Sequence, residues 1–343
     1  MPDFTAKPVT ALLKMPHFEL HCQIGPMFKP TDSSSEFQPN QYAEEARRGS
    51  QVLAQADAQA CANAQIRRDV VSFSLFGAEP GYCECAILNA LQMPQIYPGW
   101  EMWLYHDDSV PADVLRRLES LGVKLQDARR WDIAHWPGTF WRFAAVTHPQ
   151  VRHVLFRDAD SIVCERERNL VTEWLASDQP FHVIRDWYSH TDLILAGLWG
   201  AYAPFLGQMR TWVDAYIDSH TLHPTHGDQE FLAAVIWPRI RPYARVHDSV
   251  HEGAGITPFT PADTGNKGQD ALGGYRVKRI ELTLPEPHTL DYQMRIVVRT
   301  SGQAVCTYQR QLARGQDSFM LPYEYFEKID TQEWELKLDL PTS

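Results

Sequence analysis

The chain has 343 residues, of which 44% are hydrophobic and 22% charged, as in ordinary globular proteins. Its formal net charge is −11 and it has no long Lys or Arg run, which argues against nucleic acid and anionic membranes as partners. No continuous apolar segment opens the chain and none of about 18 residues follows, so we expect neither a secretory signal nor a transmembrane segment. The six cysteines form no C-x-x-C pair, which indicates free thiols in a reducing compartment and predicts a cytoplasmic protein.

The first 68 residues are rich in helix-forming side chains, in the stretch QYAEEARRGSQVLAQADAQACANAQ. They predict an N-terminal helical arm. An appended arm, a helical hairpin and the last unit of a helical repeat all remain open, because one copy cannot establish a repeat.

Strand and helix patterns alternate from Val70 onward. VVSFSLFG predicts a strand closed by Gly77, and YCECAILNALQM predicts a helix stopped by Pro94. WEMWLYHDD predicts the second strand. We expect Ser109 to cap the next helix and Gly122 to end it.

The alternation continues with a third strand in VKLQDA, a short helix in FWRFAAVTHP and a fourth strand in HVLFRDAD. PFHVIRDW predicts a further strand, APFLGQMRTWVDAYI an amphipathic helix, and GDQEFLAAVIWP a helix from Asp228 to Pro238. This order is typical of an α/β domain with a parallel sheet and helices on both faces. Ligands of such sheets bind at the carboxyl ends of the strands.

The pattern changes after a Gly-, Pro- and Asp-rich linker over residues 247–274. Hydrophobic residues then alternate with polar ones, which predicts a half-buried antiparallel β module. We therefore expect an arm over 1–68, a catalytic domain over 69–260 and a β-rich module over 272–343. The alternating residues are Ile280, Leu282, Leu284, Tyr292, Met294, Ile296, Val298, Trp334, Leu336, Leu338 and Leu340.

Asp158 and Asp160 follow the hydrophobic run of the fourth strand. Side chains two apart on a strand share a face, so two carboxylates there would repel each other unless a cation neutralised them. Mg²⁺ and Mn²⁺ typically bind one or two carboxylates together with substrate phosphates and water. The alternative is that both aspartates cap a turn and are solvated. Arg142, on the preceding helix, could hold a carboxylate or a phosphate bidentately, or could be a surface arginine.

An aromatic-Arg helix followed by a strand ending in D-x-D resembles the GT-A nucleotide-sugar glycosyltransferases, especially the glycogenin and lipopolysaccharide-galactosyltransferase type. LILAGLWGAY, HGDQEFLAAVIWPRI and RVHDSVH are similar to later pieces of that family, in the same order. Residues 70–251 also resemble an uncharacterised bacterial group with FSLFG, YPGW and RDADS segments. The resemblance implies a GT-A-like, mostly parallel sheet flanked by helices.

The resemblance also implies metal ligands. Asp158 would contact the ribose and the metal, Asp160 would bind the metal directly, and His247 would be the third protein ligand. His251 is a weaker candidate, and a loop histidine is the alternative interpretation of His247.

Donor-binding roles follow from the same resemblance. Arg142 would pair with the aspartates or the diphosphate, and Gly77 and Tyr82 would lie near the nucleotide base. Gly197, Trp199 and Gly200 would shape the sugar pocket, although Trp199 is also a candidate core residue.

Asp228 and Gln229 would face the anomeric carbon as catalytic residues. Asp228 also stands where a helix N-cap belongs, and both interpretations are compatible. The Asp-Gln likeness favours retention of configuration.

The chain departs from the glycogenin pattern at two places. Arg157 precedes the aspartate pair, and VHDSVHEGAG replaces the His-x-x-Gly-x-x-Lys ending. The diphosphate-binding lysine is therefore unassigned, with Lys267 only a remote candidate.

These features together predict a metal-dependent glycosyltransferase. It would use Mn²⁺ or Mg²⁺ to move a sugar from a nucleotide-diphosphate donor, such as a UDP-sugar, to a glycan or another hydroxyl acceptor. The family resemblance alone implies a part in bacterial polysaccharide or surface-glycan assembly. One alternative is a phosphatase or phosphotransferase with an aspartyl nucleophile, which also places D-x-D at a strand end. The other is a non-catalytic carbohydrate-binding protein in which residues 272–343 act.

Overall fold

The structure is a computed structural model that describes residues 68–187, 192–253, 255–259, 271–283 and 289–340. The strands in chain order are β1 (Arg68–Leu75), β2 (Glu101–His106), β3 (Lys124–Asp127), β4 (Val151–Arg157), β5 (Phe181–Arg185), β6 (Trp199–Tyr202), β7 (Ala244–Asp248), β8 (Ile256–Thr257), β9 (Val277–Thr283), β10 (Leu290–Val298), β11 (Ala304–Leu312), β12 (Gln316–Pro322) and β13 (Trp334–Asp339).

The α-helices are α1 (Pro80–Ile96), α2 (Ala112–Ser120), α3 (Glu165–Leu175), α4 (Met209–Ser219), α5 (Gly227–Phe231), α6 (Trp237–Ile240) and α7 (Tyr323–Asp330). A π-helical turn covers Leu232–Ile236, and 3₁₀ turns cover Gly138–Thr147, Ala203–Leu206 and Arg241–Tyr243. The predicted N-terminal arm lies outside the described residues apart from Arg68, and the predicted domain boundaries stay predictions.

The first eight strands form one sheet in the order β3-β2-β1-β4-β6-β5-β7-β8. Only β6 runs antiparallel to its neighbours, β4 and β5. The carboxyl ends of β1, β2, β4, β5 and β7 therefore meet at one border of the sheet, here called the carboxyl edge. The predicted α/β class and mostly parallel sheet flanked by helices are confirmed.

Strand β6 was not predicted as a strand. Its four residues are all buried, so the alternating pattern of a half-exposed strand is missing. Gly200 lies so close to β4 that a Cβ atom there would be 2.7 Å from Leu155 Cδ2. The absence of a side chain at Gly200 thus allows the two strands to approach.

Hydrophobic cores cover both faces of the sheet. One packs the 3₁₀ turn Gly138–Thr147 and α4 against the strands, and the other packs α1 and α2 against the opposite face. Neighbouring residues of β1 serve different cores: Val70 belongs to the first core and Val71 to the second, as the alternation of a strand requires.

Two helices continue through the prolines expected to end them. Pro94 lies within the last turn of α1, where its missing N–H costs only one hydrogen bond and Ile96 still buries its side chain. Pro238 lies in α6, directly after the π-helical turn Leu232–Ile236. The wider turn relieves the clash between the proline ring and the preceding carbonyl group.

The predicted cap of α2 is also wrong. The residue before this helix is Pro111, and it makes no side-chain cap. The Ser109 hydroxyl instead accepts a 2.6 Å hydrogen bond from the Gly77 amide and donates to Asp107. It therefore joins the loops that follow β1 and β2.

The C-terminal part is antiparallel, as predicted, and holds a three-stranded sheet, β11-β10-β13, and a two-stranded sheet, β12-β9. Strands β11 and β12 and helix α7 were not predicted. Tyr292, Met294 and Ile296 of β10 belong to the same hydrophobic core as α1.

Candidate active site

Strand β4 ends at Arg157, one residue before the aspartate pair. Asp158, Ala159 and Asp160 lie in the turn that follows, closed by hydrogen bonds from the Ser161 amide and hydroxyl to the Asp158 carbonyl, at 3.3 and 3.0 Å. The prediction that Asp158 and Asp160 share one face of a strand is therefore wrong, because the strand ends before them. The Asp158 side chain is 40% exposed, whereas Asp160 is buried.

Asn89 of α1 holds this turn through two side-chain hydrogen bonds. Its amide nitrogen donates to the Ser161 carbonyl at 2.7 Å, and its carbonyl oxygen accepts from the Val163 amide at 2.9 Å. The Asp160 carbonyl accepts from the Arg276 amide at 2.9 Å. Burial and, after it, the nearby charge of Asp158 raise the pKa of Asp160 to about 7.

Arg142 is buried between two carboxylates. One terminal nitrogen binds Asp158, and the other lies 2.5 Å from Asp228 Oδ2. The surface-arginine alternative is therefore wrong. Burial opposes the charge of this guanidinium, but the charges of Asp158 and Asp228 prevail and raise the pKa of Arg142.

Two serines of β1 fix the backbone of Arg142. The Ser72 hydroxyl donates to the Arg142 carbonyl at 2.8 Å, and the Arg142 amide donates to the Ser74 hydroxyl at 2.9 Å. Sequence reasoning missed both serines, although polar residues inside the apolar run VVSFSLF were a usable signal.

Asp228 and Gln229 lie in the first turn of α5. Asp228 is not the N-cap, since the helix begins at Gly227 after His226. Its second carboxylate oxygen accepts from the Gln229 amide at 3.0 Å. Burial raises the pKa of Asp228 against the opposing effect of Arg142.

The Gln229 side chain is bonded to the backbone of the segment before Gly197. Its oxygen accepts from the Ala196 amide at 2.9 Å, and its nitrogen donates to the Ile194 carbonyl. Gly197 in turn packs against the aspartate pair, because a Cβ there would lie 1.9 Å from Asp158 Oδ2. The structure therefore brings Gly197, Asp158, Arg142 and Asp228 together, with Gln229 behind them.

Trp199 and Gly200 lie in the interior of the sheet. Trp199 is fully buried, and its ring centroid is 4.3 Å from that of Phe156 and 6.0 Å from that of Phe143. Trp199 therefore lies in the environment of a core residue, which is the alternative interpretation of this tryptophan. A pocket role for Trp199 or Gly200 stays a prediction.

Gly77 and Tyr82 flank the start of α1 at the carboxyl edge. Gly77 has a φ of +74°, which favours glycine, and its amide binds Ser109. Tyr82 is half-buried in the first turn of α1. Desolvation and, after it, the charge of Asp160 raise the pKa of Tyr82, which is consistent with a position near the pair.

The structure does not bring His247 to the aspartates. His247 is fully buried, with Nδ1 2.7 Å from His182 Nε2 and Nε2 3.2 Å from Glu173 Oε2. Burial lowers its pKa. His251 is exposed and lies against Asp248, and Lys267 falls outside the described residues.

Within the described ranges no cluster of three or more His, Cys, Asp or Glu side chains has the arrangement of a metal site. Arg157, which departs from the family pattern, is buried and forms an ion pair with Glu167 at 2.8 Å. In the same part of the chain, no helix has both the length and the apolar character of a membrane span.

No protein-family model and no curated protein matches the chain. Among solved structures, glucosyl-3-phosphoglycerate synthase from Mycobacterium tuberculosis with Mn²⁺, UDP and phosphoglyceric acid is 14% identical, with a TM-score of 0.37, over 52% of this chain and 68% of that one. Mouse xyloside xylosyltransferase 1 is 12% identical, with a TM-score of 0.35, over 53% of this chain and 85% of that one.

A third solved structure, 4-diphosphocytidyl-2C-methyl-D-erythritol synthase from Anaerococcus prevotii, is 12% identical, with a TM-score of 0.35, over 57% of this chain and 93% of that one. At such TM-scores these likenesses carry no argument about function.

Proposed function

We propose that the chain is a metal-dependent glycosyltransferase that moves a sugar from a nucleotide-diphosphate donor, a UDP-sugar, to a hydroxyl group of a glycan or another acceptor. One observation carries the proposal. At the carboxyl edge, three carboxylates share one buried guanidinium: Asp158 and Asp228 pair with Arg142, whereas Asp160 has no ion-pair partner among the described residues. When Asp160 is ionised, the cluster carries three negative charges against one positive charge, and a cation would neutralise the excess and favour this ionised form.

The residues present fit a divalent cation. Asp158 and Asp160 supply carboxylate oxygens, the preferred ligands of Mg²⁺ and Mn²⁺, and the exposed part of Asp158 leaves an approach from solvent. Two carboxylates suffice where substrate phosphates and water complete the coordination. When bound, the cation would supply charge stabilisation to a departing nucleoside diphosphate.

The other residues would orient the pair. Arg142 fixes one oxygen of Asp158 and is itself anchored by Asp228 and the backbone contacts to β1. Gly197 leaves the space that the Asp158 carboxylate occupies. Asn89 holds the turn so that the buried Asp160 keeps its position.

His247 is not among the proposed metal ligands, and the stereochemistry at the anomeric carbon is not part of the proposed reaction. Both ring nitrogens of His247 face other side chains, and both oxygens of Asp228 already accept hydrogen bonds. The catalytic roles of Asp228 and Gln229, retention, and a part in bacterial polysaccharide assembly stay predictions.

The test is calorimetric titration of UDP into the protein with Mn²⁺ and with EDTA, followed by a donor panel of UDP-, GDP-, dTDP- and CMP-sugars scored by nucleotide release. We expect UDP binding that requires Mn²⁺ and is lost in Asp160→Asn. Asp291→Asn, an exposed aspartate on β10, is the matched control and should bind as the wild type does.

Equal UDP affinity with Mn²⁺ and with EDTA would overturn the metal role. Phosphate release from a generic ester, without nucleotide release from any sugar donor, would favour the phosphatase alternative instead.

A further inference from the structure

Residues 271–276, which lead into β9, cross the carboxyl edge beside the aspartate pair. The Leu272 amide donates to Asp186 Oδ2 at 2.8 Å, and the Arg276 amide donates to the Asp160 carbonyl at 2.9 Å. Gly273, with a φ of +71°, packs on Leu198 so closely that a Cβ would lie 2.7 Å from its side chain. The backbone on both sides of Tyr275 is therefore held in place.

Tyr275 itself is exposed, although its neighbours are anchored. It is 71% accessible, the highest value among the exposed large hydrophobic side chains in the described part of the chain. The tyrosines Tyr292, Tyr308 and Tyr325 of the β module are buried instead. An anchored backbone therefore presents a large aromatic ring to solvent beside the aspartate turn.

Tyr275 lies beside the aspartate turn, because the amide of the next residue, Arg276, donates to the Asp160 carbonyl at 2.9 Å. Desolvation, then the charges of Asp160 and Asp158, raise the pKa of Tyr275, and the same carboxylates act on Tyr82. Helix α1, which carries Tyr82, touches β9, which begins two residues after Tyr275: a Cβ at Gly81 would lie 3.2 Å from Val277 Cγ1. Two aromatic rings, from α1 and from the segment before β9, thus flank the same carboxylate site.

We propose that Tyr275 contacts the donor directly and that its ring stacks on the nucleobase of a nucleoside diphosphate held at Asp158 and Asp160. The inference rests on the proposed function and extends it, because the segment leading into the β module then completes the donor site. Base stacking on an aromatic side chain tolerates different bases and contributes about 1–3 kcal/mol. The diphosphate would remain with the carboxylates and their cation.

The experiment compares two ligands that share the diphosphate but differ in the base. UDP and inorganic pyrophosphate are titrated, each with Mn²⁺, into the full chain and into Tyr275→Ala, Tyr275→Phe and Leu340→Ala. Leu340, which directly follows β13 and is 44% exposed, serves as the control. Thermal unfolding of each variant checks that the fold is retained.

We expect Tyr275→Ala to weaken UDP binding about 5- to 150-fold while pyrophosphate binding stays within experimental error. Tyr275→Phe keeps the ring and should bind UDP almost as the wild type does, and Leu340→Ala should change neither ligand.

Unchanged UDP affinity in Tyr275→Ala would overturn the inference and leave the proposed function standing. An equal loss for both ligands would also overturn it, because Tyr275 would then act through the aspartate pair. Wild-type protein that binds neither ligand would overturn the proposed function itself.

Discussion

At the scale of single residues, the site is governed by how much negative charge is buried around Arg142. Asp160 has the poorest compensation, because Arg142 binds Asp158 and Asp228 instead. Its pKa of about 7 in the folded protein lies above the ordinary value of 3.8. Between these two values the folded state holds a proton that the unfolded chain has already released.

The free energy of unfolding should therefore fall as the pH rises from about 4 to about 7 in metal-free protein, and then level off. Because one pKa unit corresponds to about 1.4 kcal/mol, the titration of Asp160 changes the free energy of unfolding by at most about 4 kcal/mol. Asp160→Asn cannot ionise, so its stability relative to the wild type should increase over this interval. Urea unfolding in EDTA at pH 5 and pH 8 measures the difference, and parallel pH profiles for the two proteins would contradict the prediction.

At the scale of elements, the segment before β6 leaves room for the Asp158 carboxylate, because Gly197 has no side chain. An added methyl group at Gly197 would lie 1.9 Å from Asp158 Oδ2 and 2.5 Å from its Cγ. The Asp158 carboxylate would have to move and would leave Arg142. Gln229 holds the segment and prevents it from yielding.

We expect Gly197→Ala to weaken Mn²⁺-dependent UDP binding at least about 10-fold and to destabilise the fold by about 1–3 kcal/mol, the usual cost of overpacking. Calorimetry and urea unfolding measure the two effects. Gly253→Ala is the matched control, because the nearest atom to a Cβ there is 3.8 Å away, an ordinary contact. If Gly197→Ala binds UDP as tightly as the wild type does, binding does not depend on the position of the Asp158 carboxylate.

At the scale of the whole molecule, one buried carboxylate joins the α/β sheet to the β module. Glu84 of α1 accepts two 2.7 Å hydrogen bonds from Arg117 of α2. It also accepts one of 2.5 Å from each hydroxyl of Tyr308 and Tyr325, on β11 and α7. The side chain of Glu84 is fully buried, so all four bonds are shielded from water.

Glu84→Gln should lower the free energy of unfolding by roughly 2–4 kcal/mol, because the charge-assisted bonds weaken and Arg117 loses its partner. Urea unfolding monitored by fluorescence gives this value. Glu335 forms a surface ion pair with Lys337, so the control substitution Glu335→Gln should lower the free energy of unfolding by less than about 1 kcal/mol. A Glu84→Gln midpoint equal to that of the wild type would show that the network contributes nothing to the joint.

Local patterns were sufficient for the α/β class, the mostly parallel sheet, the antiparallel C-terminal strands and the segments that carry Asp158, Arg142 and Asp228. These features depend on the alternation and helical spacing of neighbouring residues, which the chain itself displays. The same patterns failed at β6, which is buried on both sides, and at Pro94 and Pro238, where packing outweighs the local preference of proline.

The sequence by itself determined where the strands end in acidic residues, because chain order and side-chain type are local facts. Only the tertiary structure decided which groups meet there. It places Arg142 between two carboxylates 16 and 86 residues away in the chain, turns His247 toward His182, and brings Arg276 to Asp160. Such contacts depend on sheet order and on close packing between distant segments, and neither is encoded in the spacing of neighbouring residues.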